Sequence, residues 1–130
     1  MKRNYPPSMW WNWLRKLFRK GRVGERIAAR YLAEQGYEIL QRNVRFPMGE
    51  IDIVGRDGKD LCIVEVKRRI SPRKGSPEEA VTQKKLDRLR RLAQAYVKRE
   101  RLGDVPVRID VVAVDDRGES RQIRLHRNVG

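Results

Sequence analysis

Hydrophobic positions along the chain follow two different periods. Apolar residues spaced three and four apart predict one helix over residues 22–35 and a second from Ser76 to about residue 101. Gly36 and Gly103 lie just beyond the last apolar positions, where helices often end. Runs rich in β-branched residues, with short turns between them, predict strands over residues 37–46, 49–56, 60–68, 106–115 and 119–127.

The order of these elements predicts how the strands pair. The first three strands are joined by short turns and form an antiparallel meander. The second helix connects the third and fourth strands as a right-handed crossover, which makes those two strands parallel neighbours. We therefore predict an α/β fold in the order αβββαββ, with a mixed central sheet flanked by helices. The length of 130 residues suits one domain, which we assign to residues 21–130.

The second and third strands carry charged residues where a buried hairpin would carry apolar ones. Asp57-Gly58 predicts a two-residue turn between them. This turn places Glu50 opposite Glu65, and it places Asp52 opposite Ile63. Because side chains alternate along a strand, each residue is assigned to one of two faces. One face then carries Glu50, Asp52, Val54, Leu61, Ile63, Glu65 and Lys67, and the other carries Ile51, Ile53, Val64 and Val66.

Acids gathered on one face need a compensating charge, because directly opposed like charges destabilise a sheet. A hard divalent cation such as Mg²⁺ or Mn²⁺ provides it, since carboxylates are its preferred ligands. In metal-assisted hydrolysis of a phosphodiester the cation activates water, and a nearby ammonium such as that of Lys67 orients the water or stabilises negative charge. The alternative is a solvated sheet face on which Lys67 simply neutralises Glu65.

The composition indicates a polyanionic partner. Lys and Arg number 31 against 17 Asp and Glu, a formal charge of +14, so nucleic acid is the first candidate and an anionic membrane surface the second.

Cys62 is the only cysteine, which excludes an intrachain disulfide and a thiolate zinc site. The first residues lack the apolar core of a signal peptide. We therefore expect a cytoplasmic protein.

Several motifs resemble a known family. Asp52 followed by Glu65-Val66-Lys67 resembles the signature of the PD-(D/E)XK nucleases, and the order of elements is similar to their core. Ile51 stands where that signature has its first proline, a variation that removes no ligand. Over about residues 21–115 the chain more closely resembles the bacterial YraN family, which is similar to archaeal Holliday-junction resolvases. The motifs are Gly24-Glu25-Arg26-x-Ala28-Ala29, Asn43-Val44-Arg45, Gly49-Glu50-Ile51-Asp52, Val64-Glu65-Val66-Lys67-Arg68, Ala80-Val81-Thr82 and Arg108-x-Asp110-Val111-Val112.

The resemblance implies roles for four residues of the hairpin. Asp52 and Glu65 become the metal carboxylates, with the Val66 carbonyl as a further ligand. Lys67 becomes the residue that orients water or stabilises charge. Glu50 lies on the same face but is not required by the signature, so it is an outer or second-metal candidate.

Glu25 corresponds to the acid that the first helix contributes in resolvase-like members. It shares a helical stripe with Ala28, Ala29 and Leu32, so an inward orientation agrees with that role. An ordinary glutamate in the first turn, favoured by the helix dipole, is an equal alternative.

Basic residues after the third strand and on the second helix would place positive charge beside the acids. We predict that they contact phosphates without reading bases, since nothing in the chain resembles a base-reading module. An ordinary solvated helix face is the alternative. The residues are Arg68, Arg69, Arg73, Lys74, Lys84, Lys85, Arg88 and Arg91.

Residues 1–20 differ from the rest in being rich in tryptophan and basic residues. Their apolar and basic positions form the two arcs of an amphipathic helix, so we predict an extension outside the domain. It would pack on its own domain, contact another protein, or lie on an anionic membrane.

Elsewhere, Cys62 is predicted to be a core residue, His126 a lone surface histidine, and Arg108 and Asp110 a pair on one strand face.

The leading prediction is a metal-dependent endodeoxyribonuclease, with branched or damaged DNA as the substrate that the resemblance suggests. Resolvase-like action on two strands would favour a homodimer. The second prediction is a non-catalytic nucleic-acid-binding module that has kept the fold.

Overall fold

The computed structural model describes residues 21–130, so the predicted amphipathic extension of residues 1–20 lies outside the described residues. Two short 3-10 turns, Pro72–Lys74 and Pro77–Ala80, lie between the third strand and the second α-helix. The other elements, in chain order, are α1 (Gly21–Glu34), β1 (Glu38–Phe46), β2 (Gly49–Asp57), β3 (Asp60–Arg69), α2 (Gln83–Arg99), β4 (Val107–Asp115) and β5 (Gln122–His126).

The described strands form one five-stranded sheet in the order β1-β2-β3-β4-β5. β3 and β4 are parallel, and the other neighbours are antiparallel. The parallel pair is connected through α2, as a crossover requires. The predicted mixed α/β architecture is confirmed.

Two hydrophobic clusters pack α1 and α2 onto the sheet. Successive residues of β3 alternate between them, and residues 61–66 are all buried, as expected for a central strand covered on both faces. The α1 cluster includes Ala28, Leu32, Ile53, Cys62, Val64 and Val112. The α2 cluster includes Ile51, Val54, Ile63, Leu89, Leu92 and Ile109. Cys62 is a buried free thiol, as predicted for a core residue. None of the helices described is long and apolar enough to cross a membrane.

The predicted start of the second helix is wrong by several residues. Ser76 precedes only the 3-10 turn, where its backbone N–H donates to Glu79 Oε2 over 3.0 Å. Val81 is extended, and α2 begins at Gln83 with Thr82 as its N-cap, whose Oγ1 accepts from the Lys85 backbone N–H over 3.2 Å. Two capping residues stand close together in the sequence, and the second one starts the α-helix.

The predicted turn between β2 and β3 is also wrong. Asp57 pairs with Asp60, so the turn is Gly58-Lys59, with the positive φ of +60° at Gly58. Arg108 offsets the repulsion of the opposed acids, because its Nη2 lies 2.6 Å from Asp57 Oδ2 and its Nη1 lies 2.9 Å from Asp60 Oδ2. The register differs from the predicted one by two positions, which leaves the faces of both strands unchanged.

Ile51 is the exception to the predicted faces. It belongs to the α2 cluster, whereas Ile53 belongs to the α1 cluster. The pairs between β2 and β3 end at Ile53. Beyond that residue β2 is no longer held in the plane of β3, so the alternation that the paired part of the strand obeys does not extend to Ile51.

Candidate metal and phosphodiester site

β2 and β3 separate at their acidic ends. Their pairing ends at Ile53 and Val64, whereas β2 remains paired with β1 as far as Gly49 and β3 remains paired with β4 as far as Arg69. The next residues outward from the last pair are Asp52 on β2 and Glu65 on β3. The sheet therefore opens at this point with one carboxylate on each side.

Asp52 is fixed to the neighbouring strand by its own side chain. The backbone N–H of Val66 donates to Asp52 Oδ2 over 2.8 Å. Burial, and then the charge of Glu65, raise the pKa of Asp52 well above its ordinary value, and the hydrogen bond from Val66 opposes that shift. The two carboxylates thus share a poorly solvated space in which a proton or a cation is favoured.

Glu25 faces inward, as its helical stripe predicted. It is only 8% exposed, like its neighbours Ala28 and Leu32. Gly24 allows this close approach of α1 to β3, since a Cβ there would lie 3.3 Å from Arg68 Cβ. Among the described residues, Glu25 Oε2 is buried without a hydrogen-bond partner. An unsatisfied buried carboxylate oxygen is costly and favours a ligand or a proton at that place.

The electrostatics connect Glu25 with the acids of β2. Burial, and then the charge of Glu50, raise the pKa of Glu25 to about 7. Glu25 and Glu50 in turn both raise the pKa of Asp52. The structure therefore brings four of the predicted acids into one electrostatic neighbourhood, namely Glu25, Glu50, Asp52 and Glu65.

Two lysines converge on one oxygen of Glu65. Lys85 Nζ lies 2.9 Å from Glu65 Oε1, and Lys67 Nζ lies 3.7 Å from the same atom. Glu65 itself is only 4% exposed. Burial and the nearby Lys85 lower the pKa of Lys67. Sequence reasoning assigned Lys85 to the DNA-contacting face and missed this contact. The sequence signal that could have predicted the contact is the Thr82 N-cap, which puts Lys85 in the first turn of α2.

The residues present fit a divalent cation. Asp52 and Glu65 offer neighbouring carboxylate oxygens of the kind that a hard cation prefers, and the orphaned Glu25 Oε2 adds a third acid close to them. Within residues 21–130, however, no three acidic, histidine or cysteine side chains already surround a common point. Lys85 already occupies one oxygen of the Glu65 carboxylate.

The predicted phosphate-contacting residues divide into three groups: residues that are paired or buried, one residue in the acidic site, and residues that are exposed. Arg68 is paired, with its Nε 2.8 Å from Asp116 Oδ2, and Arg69 Nε is buried without a partner among the described residues. Lys85 points into the acidic site. Arg88 borders the open end of the sheet, because its Cδ lies 3.4 Å from where a Cβ on Gly49 would be. The exposed members of the set are Arg73, Lys74, Lys84, Arg88 and Arg91.

Other charged residues form networks away from this site. Arg108 Nε lies 3.2 Å from Asp110 Oδ1, so the predicted pair is present. Asp110 is fully buried and also accepts from the Tyr37 hydroxyl over 2.7 Å. The side chain of His126 is 41% exposed, as predicted for a surface histidine, and its Nε2 lies 2.9 Å from Glu78 Oε2. The sequence hides this contact, since the two residues are far apart along the chain.

The fold and site define an α/β protein with a mixed sheet whose open end carries clustered carboxylates and two lysines. The model of the uncharacterised protein family UPF0102 matches residues 24–114. The chain belongs to this family, which is the YraN family that its motifs resemble. The matched region contains all the acids of the site and both lysines.

Relatives from distant bacteria cover most of the chain, and each is described only as a UPF0102 protein. A protein of Thermodesulfovibrio yellowstonii is 44% identical over 97 residues, 75% of this chain and 86% of the relative. A protein of Beutenbergia cavernae is 48% identical over 111 residues, 85% of this chain and 94% of the relative. A protein of Symbiobacterium thermophilum is 47% identical over 111 residues, with the same two shares of 85% and 94%.

Proposed function

We propose that the protein is a metal-dependent endonuclease that hydrolyses phosphodiester bonds in DNA. The observation that carries the proposal is the meeting of Asp52 and Glu65 where β2 and β3 part, with two lysines on the Glu65 carboxylate. Poorly solvated paired acids beside ammonium groups suit the hydrolysis of a phosphate diester, in which negative charge develops on the phosphoryl group.

Mg²⁺ or Mn²⁺ would be held by Asp52 and Glu65, with the Val66 carbonyl, Glu50 and Glu25 as further ligand candidates. When bound, the ion supplies Lewis acidity and lowers the pKa of a water molecule. The backbone N–H of Val66 keeps Asp52 oriented toward β3. Lys67, on the strand that carries Glu65, would orient the attacking water or stabilise the developing charge.

Exposed cations beside the site would contact the DNA backbone. Lys84, Arg88 and Arg91 lie exposed on α2, the helix that also carries Lys85, and the chain has a formal charge of +14. Contacts of this kind fix the position of a duplex without reading its bases. The similarity of the family to resolvases suggests branched or damaged DNA and a homodimer as parts of the same proposal. A cytoplasmic location, which the sequence led us to expect, also belongs to it.

A second candidate function is a nucleic-acid-binding module without catalysis. It is favoured by the ion pair of Lys85 with Glu65 and by the lack, within residues 21–130, of three ligands already arranged around one point. A lysine that permanently neutralises Glu65 would leave the basic surface intact and the site inactive.

A cleavage assay separates the two functions. Purified protein with Mg²⁺ or Mn²⁺ is offered linear duplex, single-stranded, flapped and four-way DNA. Wild type should cut at least one of these substrates, and Asp52→Asn and Glu65→Gln should abolish cutting. Glu34→Gln is the matched control, because Glu34 is an exposed acid on α1. Cutting that survives both site variants would overturn the endonuclease, and metal-independent binding without cutting would support the binding module.

A further inference from the structure

Lys85 occupies an unusual place for a basic residue of a nucleic-acid-facing helix. Its ammonium is 2.9 Å from Glu65 Oε1, and the side chains of Lys85 and Glu65 are 27% and 6% exposed. A pair this poorly solvated is screened less than a surface salt bridge, and removing Lys85 leaves Glu65 with only the more distant Lys67. Lys85 is therefore the principal counter-ion of Glu65 in the metal-free protein.

Lys67 is less suited to that role although it lies on the same face. Its Nζ is 3.7 Å from Glu65 Oε1, beyond hydrogen-bonding distance. It also lies two residues from Glu65 on β3, so its backbone position is fixed by the same strand. Lys85 reaches the carboxylate from another element, with the exposed Lys84 beside it on α2 and Arg88 one turn further on.

A divalent cation on Glu65 and the ammonium of Lys85 would compete for the same carboxylate, and their charges repel each other. The long side chain of Lys85 can leave the carboxylate by rotating about its own bonds, whereas Glu65 is buried on a central strand. Its neighbours on α2 face the surface on which a DNA backbone would lie. A phosphate oxygen is then the nearest strong partner for the released ammonium.

We propose that Lys85 is an exchangeable counter-ion, which neutralises Glu65 in the metal-free protein and passes to a DNA phosphate when a divalent cation takes the carboxylate. This inference rests on the proposed function. Cation binding and DNA binding would then strengthen each other. The cation displaces Lys85 from Glu65, and the DNA phosphate holds Lys85 away from it. It also reconciles the ion pair at Glu65 with a site that binds metal.

The test compares Lys85→Met with Lys59→Met, which removes the same charge from an exposed position at the β2–β3 turn. Calorimetric titration with Mn²⁺ is run at about pH 8, above the ordinary pKa of carboxylates, to reduce proton competition. Lys85→Met should bind Mn²⁺ about tenfold more tightly than wild type, because no ammonium has to be displaced. Lys59→Met should bind Mn²⁺ as wild type does. Lys85→Gln provides a second variant if thermal unfolding shows that Lys85→Met is misfolded.

DNA binding provides the second readout, with Ca²⁺ in place of Mn²⁺. In chelator, Lys85→Met should bind DNA as wild type does, because Lys85 is then engaged with Glu65. With Ca²⁺ it should bind several-fold more weakly, and the slope of log K against log salt should be smaller by about 1. A structural defect alone would weaken binding under both conditions.

The outcomes distinguish this inference from the proposed function. If wild type and Lys85→Met bind Mn²⁺ equally tightly, the exchange is overturned while the metal site stands. If neither protein binds Mn²⁺ at all, the metal-dependent function is overturned and the exchange with it. Tighter Mn²⁺ binding with a Ca²⁺-dependent loss of DNA affinity supports both.

Discussion

The backbone N–H of Val66 donates to Asp52 Oδ2 over 2.8 Å, across the point where β2 and β3 cease to pair. One carboxylate oxygen of Asp52 thus takes part in joining the two strands. The nearby charge of Glu65 and the burial of the site raise the pKa of Asp52. The metal-free site therefore contains acids that repel each other, and the consequences can be measured without any assay of activity.

Glu25 should make the metal-free protein less stable as the pH rises. Burial and the charge of Glu50 raise its pKa from 4.5 to about 7, so the folded protein keeps a proton that the unfolded chain releases. The resulting stability is fully present below pH ~4.5 and is lost as the pH rises through about 7, a change of about 3 kcal/mol in the free energy of unfolding. Urea unfolding in chelator at about pH 5 and about pH 8 measures it.

Glu25→Gln cannot ionise and should remove the part of this difference that comes from Glu25. A decrease with pH remains, since the raised pKa of Asp52 acts in the same direction. The exposed control Glu34→Gln should behave as wild type. An unchanged pH dependence in Glu25→Gln would mean that Glu25 is not an important source of the effect.

Mn²⁺ should raise the Tm of wild type and leave that of Asp52→Asn or Glu65→Gln nearly unchanged. A ligand that binds only the folded state stabilises it by about 2.7 kcal/mol at a hundred times its Kd. Each variant removes one carboxylate ligand and keeps the size of the side chain. Thermal unfolding with and without Mn²⁺ is the measurement. An equal rise in Tm for all three proteins would place the ion elsewhere on the chain.

The sequence contained enough information for the faces of the hairpin but not for its turn. Val54 and Ile63 share one face, and Ile53 and Val64 the other, in the predicted register and in the observed one, because the two registers differ by two positions. In the observed turn, Asp57 faces Asp60, and Arg108 of β4 pairs with both acids. That contact is distant in sequence and no local propensity reveals it.

In the site itself, the features that the sequence did not predict are mainly contacts between different helices and strands. Lys85 reaches Glu65 because α2 starts at Gln83, which places Lys85 in the first turn of the helix, beside β3. Ile51 faces the α2 cluster because β2 leaves β3 beyond Ile53. Periodicity describes regular strands and helices, so it fails where a strand separates from its neighbour. The acids of the candidate site lie at that place.

Arg108 should be among the most important polar residues for stability. It pairs with Asp57, Asp60 and the fully buried Asp110. Arg108→Met would leave these acids without their cation and should cost about 3–5 kcal/mol of the free energy of unfolding. The control Arg30→Met removes a highly exposed arginine of α1 and should cost less than about 1 kcal/mol. Chemical denaturation measures both, and similar losses would contradict the importance of the buried network.

DNA affinity should depend on the exposed face of α2 more than on net charge. Lys84, Arg88 and Arg91 lie exposed on this helix, and replacing all three by alanine removes three candidate phosphate contacts. Each lost contact lowers the slope of log K against log salt by about 0.9, so the slope should decrease by about 2 to 3. The control replaces Arg26, Arg30 and Lys59, which are exposed on α1 and the β2–β3 turn. Titrations of labelled duplex at several salt concentrations should show a much smaller change for the control, and equal losses would indicate binding through net charge alone.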